Sequence, residues 1–187
     1  MTAIKNLCDK VIYLGNGRIS EIGPTAQVIN NYLSHYVNSS LLQEFRNQEE
    51  SPGNQYVRVR KLEVVPKLIN HADPITIERE VDIEFEFWNN IDQGLINISM
   101  GIYTIADEHI CQVVSDVVIL ATGLYKAVCK IPGNFLNDGI YKITILVVQD
   151  RSKIVFEFAE KVSFEIHESR TPSGWHGKWP GFVRPQF

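Results

Sequence analysis

From Ile75 to Trp88 the chain alternates with a period of two. Ile75, Ile77, Val81, Ile83, Phe85 and Phe87 fall on one face, and Thr76, Glu78, Glu80, Asp82, Glu84 and Glu86 on the other. Successive side chains of a strand point to opposite faces, so this run can bury one side and wet the other only as a half-covered strand. The same period recurs over 56–65, 96–106, 110–114, 124–131, 140–149, 153–158 and 161–167, which predicts about eight strands. Turn residues separate them: HADP at 71–74, NNIDQG at 89–94, IPGN at 131–134 and NDG at 137–139. Short strands at this spacing, with no helix between them, predict an antiparallel β-sandwich over 55–168. The acidic row from Glu78 to Glu86 reads as a solvated face rather than a cation site, because metal ligands converge from several elements.

Asp138-Gly139-Ile140-Tyr141, followed by KITILVV, resembles the start of the F strand of an immunoglobulin-type sandwich, with Tyr141 in the tyrosine-corner position. The fold class expected is therefore mainly β and immunoglobulin-like.

The flanks follow other rules. Residues 1–54 begin with a short strand at 11–14, a Gly-Asn-Gly turn, a second strand at 18–22 and Gly-Pro. Thr25 then stands as a candidate N-cap, and Val28, Ile29, Tyr32, Leu33, Tyr36 and Val37 recur at helical spacing. Leu41, Leu42 and Phe45 are read as extending or restarting that helix, and EESPGN at 49–54 as a linker. The tail, SRTPSGWHGKWPGFVRPQF at 169–187, has no periodicity yet carries two Trp and two Phe. That aromatic area needs a surface: the chain's own sandwich, a second subunit or a ligand.

Several function classes drop out. A net charge of −4 over 187 residues argues against a nucleic-acid partner, and the one local basic cluster (Arg58, Arg60, Lys61) lies in a strand pattern and reads as a solvated face. The three cysteines, Cys8, Cys111 and Cys129, have no C-x-x-C spacing, so free buried thiols are expected rather than zinc or a redox pair. The sequons at Asn38 and Asn97 matter only in a secreted chain, and no signal peptide precedes them. The longest apolar run, Val117 to Ala121, falls far short of the ~20 residues a span needs, so membrane contact is expected only through partners. There is no G-x-x-x-x-G-K-[ST], no G-x-S-x-G and no H-E-x-x-H, so no catalytic residue, cofactor or metal is expected. His176, between Trp175 and Gly177, reads as packing within the tail, with ligand contact as the alternative.

A binding module remains. In 96–106 the alternation turns Asn97, Ser99, Gly101 and Tyr103 outward. In 140–149 it turns Lys142, Thr144, Leu146 and Val148 outward, and Trp88 ends its strand on the polar face. Sugars are held by aromatic rings against their C–H faces and by small polar side chains on their hydroxyls. Trp88 and Tyr103 are thus candidate platforms, and Asn97, Ser99, Lys142 and Thr144 candidate hydrogen-bond partners. The competing reading packs Tyr103 and Trp88 under the tail or at a dimer seam. Outward Leu146 and Val148 favour it, because exposed apolar strand residues mark covered surfaces.

CDKVIYLGNGRISEIGP at 8–24, the DGIYKI strand and Gly181-Phe182-Val183-Arg184-Pro185, in this order around a sandwich, resemble the C-terminal part of the ATP-binding subunit of bacterial O-antigen polysaccharide ABC exporters of the Wzt type. Teichoic-acid and capsule exporters are relatives. The resemblance implies an ATPase tail, a helical linker and a carbohydrate-binding sandwich that reads the lipid-linked glycan, through its non-reducing end, at the cytoplasmic face of the inner membrane. It also implies a homodimer with an exchanged C-terminal strand, an ATPase domain and a membrane-spanning subunit as partners. A purely structural dimerisation or docking sandwich is the rival reading. With the phosphate loop missing, the chain is expected neither to bind nor to hydrolyse ATP; phosphate release by the pure protein would overturn this.

Overall fold

The computed structural model describes residues 4, 7–15, 17–36, 41–70, 73–168 and 180–184, with the side chains of 30, 33–36, 160 and 161 left aside. The chain divides into two units. One takes Met1–Asn38 with Ile105–Glu108, the other Ser39–Thr104 with His109–Phe187.

In the first unit, β1 (Lys10–Gly15) and β2 (Arg18–Pro24) form an antiparallel hairpin, followed by α1 (Thr25–Tyr36). Gly17 takes φ 75°, a left-handed turn conformation that glycine adopts without strain. Val28 and Ile29 are buried, and the Tyr13 and Tyr32 rings meet edge-on at 5.0 Å. Thr25 does start the helix, but its hydroxyl donates to the Cys8 carbonyl instead of capping the first turn.

The second unit is the expected antiparallel β-sandwich. One sheet runs β3 (Leu42–Glu44), β4 (Val57–Pro66), β5 (Val81–Asn89), β9 (Gly123–Ile131). The other runs β11 (Lys153–Ile166), β10 (Gly139–Gln149), β6 (Gly94–Thr104), β7 (His109–Val114), and β8 (Val118–Leu120) also pairs with β6. Between them lies one core in which Phe85, Phe87, Ile83, Ile102, Ile143 and Phe164 are fully buried. The Phe85 and Phe87 rings stack at 5.2 Å. Tyr141 is 1% exposed and donates its hydroxyl to the Asn137 carbonyl at 2.7 Å, so the tyrosine corner is present. Burial pushes its pKa up to about 12.

Several elements differ from their sequence pattern. Leu42 belongs to a strand paired with β4 rather than to a helix. The 49–54 segment is tied to the sandwich: Ser51 is buried, Asn54 Nδ2 donates to the Val155 carbonyl, and Arg58 binds the Glu49 and Ser51 carbonyls. β5 starts at Val81, and Thr76 instead makes a parallel bridge to His167, although Ile75 and Ile77 stay buried. The two strands read at 153–158 and 161–167 are one. Ile143 faces Val162 while Thr144 faces Ala159, so residues 160 and 161 are the two extra positions of a bulge and the alternation resumes in phase beyond it.

The acidic row of β5 is neutralised rather than simply solvated. Lys61 lies 2.7 Å from Glu63, 3.3 Å from Glu84 and 3.6 Å from Glu86. Lys126 reaches Glu84 at 2.8 Å, and Lys67 reaches Asp82 at 2.6 Å. Hydrogen bonds from Lys126 and Lys61 hold the Glu84 carboxyl below its usual 4.5, and Glu63 and Glu84 raise the Lys61 ammonium above its usual 10.5. A depressed carboxylate contributes stability that is present above pH 4.5 and lost as pH falls through its folded value. A raised ammonium contributes stability that is present below 10.5 and lost as pH rises through its folded value. Lys61→Met is therefore expected to destabilise by about 1–2 kcal/mol at neutral pH, since three carboxylates lose a shared cation in a largely covered site. Urea melts at several pH values check this: the difference from wild type should collapse in acid and in strong base, and shrink in high salt.

Candidate functional site

The outer face of the second sheet collects five of the six residues singled out in the sequence. The β6–β10 register sets Lys142 beside Tyr103, Thr144 beside Gly101, Leu146 beside Ser99 and Val148 beside Asn97. Trp88 stands apart. It lies on β5 in the other sheet, between Arg58 and Leu124, because alternation gives a side chain's face but not its sheet.

Strand β7 adds two residues that the pattern did not single out. It sets His109 against Tyr103 and Gln112 against Gly101. The Tyr103 and His109 rings are 4.9 Å apart, and Gln112 donates to the Ser99 hydroxyl at 2.6 Å while its amide oxygen meets His109 Nε2 at 3.2 Å. The signal for them was the short 104–109 connection, which makes β6 and β7 hairpin neighbours. What hid it is a register shift between Ile102 and Tyr103.

The floor of this face is deep. Asn97, Ser99 and Thr144 are buried, while Tyr103 and Lys142 are half-buried above them. Gly101 makes the arrangement possible. A Cβ there would come within 2.6 Å of the Tyr103 ring and 3.0 Å of the Gln112 amide oxygen, so the absent side chain lets Tyr103 fold back along its own strand. Asn97 is 5% exposed, and its Oδ1 accepts no hydrogen bond among the described residues. A buried acceptor without a partner is costly, so a donor from water or a ligand would stabilise it. The face thus offers one half-covered aromatic ring, one cation and an array of amide, hydroxyl and imidazole groups. Groups of these kinds can hydrogen-bond the hydroxyls of a polyol.

Among the described residues no cluster of His, Cys, Asp or Glu could hold a metal. Burial raises the Cys111 and Cys129 thiols, and both are free. No described helix is long and apolar enough to cross a membrane. Trp175, His176 and Trp179 lie outside the described residues.

At the C-terminus, Val183 bridges Leu136 antiparallel. Asn137 N donates to the Phe182 carbonyl at 2.9 Å, Arg184 N to the Phe135 carbonyl at 2.9 Å, and Asn137 Nδ2 to the Gly181 carbonyl at 2.8 Å. The Arg184 guanidinium binds Asn137 Oδ1 and the Glu168 carboxylate. The Gly181–Arg184 stretch is a clamp on the turn that carries the tyrosine corner.

Fold and face together define a polar-faced antiparallel sandwich with a clamped terminus. It is similar to the crystal structure of the C-terminal domain of Wzt, with a TM-score of 0.59 at 11% identity over 72% of this chain and 84% of that one. At that identity the likeness establishes the shared fold. A β-glucuronidase from Parabacteroides merdae aligns at a TM-score of 0.38 and 11% identity, over 84% of this chain and 24% of that one, too low to bear on the argument. No family model and no curated protein matches the sequence.

Proposed function

We propose that this chain is the glycan-reading end of the ATP-binding subunit of a polysaccharide ABC exporter. The observation that carries the reading is the union, in one chain, of the CDKVIYLGNGRISEIGP hairpin with a sandwich that shares the fold of the Wzt C-terminal domain. The outer face of β6, β10 and β7 is the proposed site. Tyr103 stacks on a sugar ring, and Lys142, Gln112, Ser99 and Thr144 meet its hydroxyls. Asn97 Oδ1 accepts a hydrogen bond from one hydroxyl. In this role the sandwich binds the finished, lipid-linked O-antigen at the cytoplasmic face of the membrane and hands it to the motor and the membrane-spanning subunit. Binding is weak and reversible, as release of cargo requires, in the millimolar to micromolar range that corresponds to about 4–8 kcal/mol. Calorimetric titration with the cognate polysaccharide, and with the same polymer lacking its terminal modification, tests the reading. Saturable binding that weakens on losing the end group supports it; no heat from either polymer defeats it.

A dimer belongs to the same proposal. The aromatic C-terminus and the open sheet edges suit an exchanged terminal segment. Sedimentation at high micromolar concentration is expected to give twice the monomer mass; a monomer there would count against exchange. The second reading, a docking sandwich, rests on the apolar residues of the outer face. Val148 itself is covered by its own chain, but outward Leu95, Val114 and Ile119 on the same sheet are 37%, 58% and 65% exposed, an apolar margin that a partner would cover. Binding of the polysaccharide, with chemical-shift changes at Tyr103 and Thr144, decides for the glycan.

A further inference from the structure

Both sheets end on the same side of the sandwich, one at β9 and the other at β7, because the opposite edges, β3 and β11, approach each other. Between the two free edges opens a cavity of about 260 Å³. Its back wall is core: Phe85, Met100 and Ile145. The void exists because β9 turns small side chains inward. Ala127 stands opposite Phe85 and Cys129 opposite Ile83, where larger residues would close the gap. The cleft opens to solvent at its mouth, and a largely apolar lining suits an apolar guest. At the mouth Val113 and Val128 are 43% and 48% exposed, an apolar rim in water.

The rim also carries charge. Lys130 lines the mouth and makes no ion pair among the described residues, for its cross-strand neighbour Asp82 is paired with Lys67. Ser115 is already used, accepting from Ile98 N at 3.0 Å and donating to the Asp116 carbonyl at 3.0 Å. Exposed Asp116 follows it in sequence. We propose that this slot takes the alkyl chain of a small anionic amphiphile, a medium-chain fatty acid, with its carboxylate at Lys130. The site lies between the sheets, away from the outer face of β6 and β10, and is independent of the glycan reading.

Titration of the full chain with sodium octanoate below its micelle concentration, followed by methyl NMR and calorimetry, tests this. Saturable binding is expected, with shifts at Met100, Ala127 and Ile145. Octylammonium, which shares the chain and reverses the charge, should bind about fivefold more weakly, the scale of one exposed charge pair. Ala127→Leu should fill the slot and abolish binding. Lys130→Glu, an exposed change compatible with folding, should invert the preference between the two amphiphiles. The proposal is overturned if octanoate does not saturate, if octylammonium binds equally well, or if Lys130→Glu leaves the preference unchanged.

Discussion

Ending the chain after Glu168 is expected to cost the sandwich about 3–5 kcal/mol and to lower its melting temperature by about 10 °C. The estimate follows from the clamp. Truncation removes the main-chain bonds of Phe182 and Arg184 to the 135–137 turn, the Gly181 acceptor of the Asn137 amide, and the Arg184 contacts with Asn137 and Glu168. Each hydrogen bond nets roughly 1 kcal/mol, somewhat more where a charge takes part. Asn137 is 1% exposed, and its carbonyl is the acceptor for Tyr141, so loosening this turn also loosens the tyrosine corner. Arg184→Ala should reproduce a third to a half of the loss. Denaturant melts of the three chains check both figures, and a truncated chain as stable as the full one would mean that the clamp is not formed in solution. If a partner copy supplies the clamp, the melting temperature of the full chain will rise with protein concentration.

Replacing Tyr103 and Lys142 together by Ala is expected to weaken binding of the cognate polysaccharide at least thirtyfold, a loss of about 2 kcal/mol. Both side chains are half-buried and lie outside the core cluster, so the folded state should survive the change. Tyr103 supplies the stacking surface, held over Gly101 and braced by His109. Gln112→Ala should weaken binding severalfold through Ser99, which would lose its partner. Trp88→Ala should leave binding untouched, since Trp88 is on the other sheet. Wild-type affinity in the double variant, measured calorimetrically, would move the site to the tail around Trp175, His176 and Trp179.

Much of the face was legible because strand alternation is a local rule. Asn97, Ser99, Tyr103, Lys142 and Thr144 do share one outer face, and Ile143, Ile145 and Val147 do point inward. The alternation could not foresee depth. Asn97 and Ser99 are outward yet buried, because larger neighbours rise around short side chains. It could not foresee bulges either: the shifts at Val59/Lys61, Ile102/Tyr103 and Val147/Val148 each insert one residue that breaks the period. The turn between β10 and β11 falls where the strand patterns at 140–149 and 153–158 leave it, but its type had no signature. Asp150 and Arg151 both take positive φ, 53° and 66°, in a tight turn where Asn-Gly is the usual signature.

What the sequence determined by itself was therefore local: strand periodicity, the tyrosine corner, the hairpin before the helix and the absence of nucleotide and metal motifs. Those depend on residues a few positions apart, whose geometry is set by backbone stereochemistry and by one buried face. Tertiary structure alone decided which strands are neighbours. It sent Trp88 and Tyr103 to different sheets, brought His109 and Gln112 to Tyr103, gave the acidic row its lysines, and left a void beside Ala127. Pairing between strands far apart in sequence is fixed by the joint packing of the whole core, where each side chain's place depends on every other.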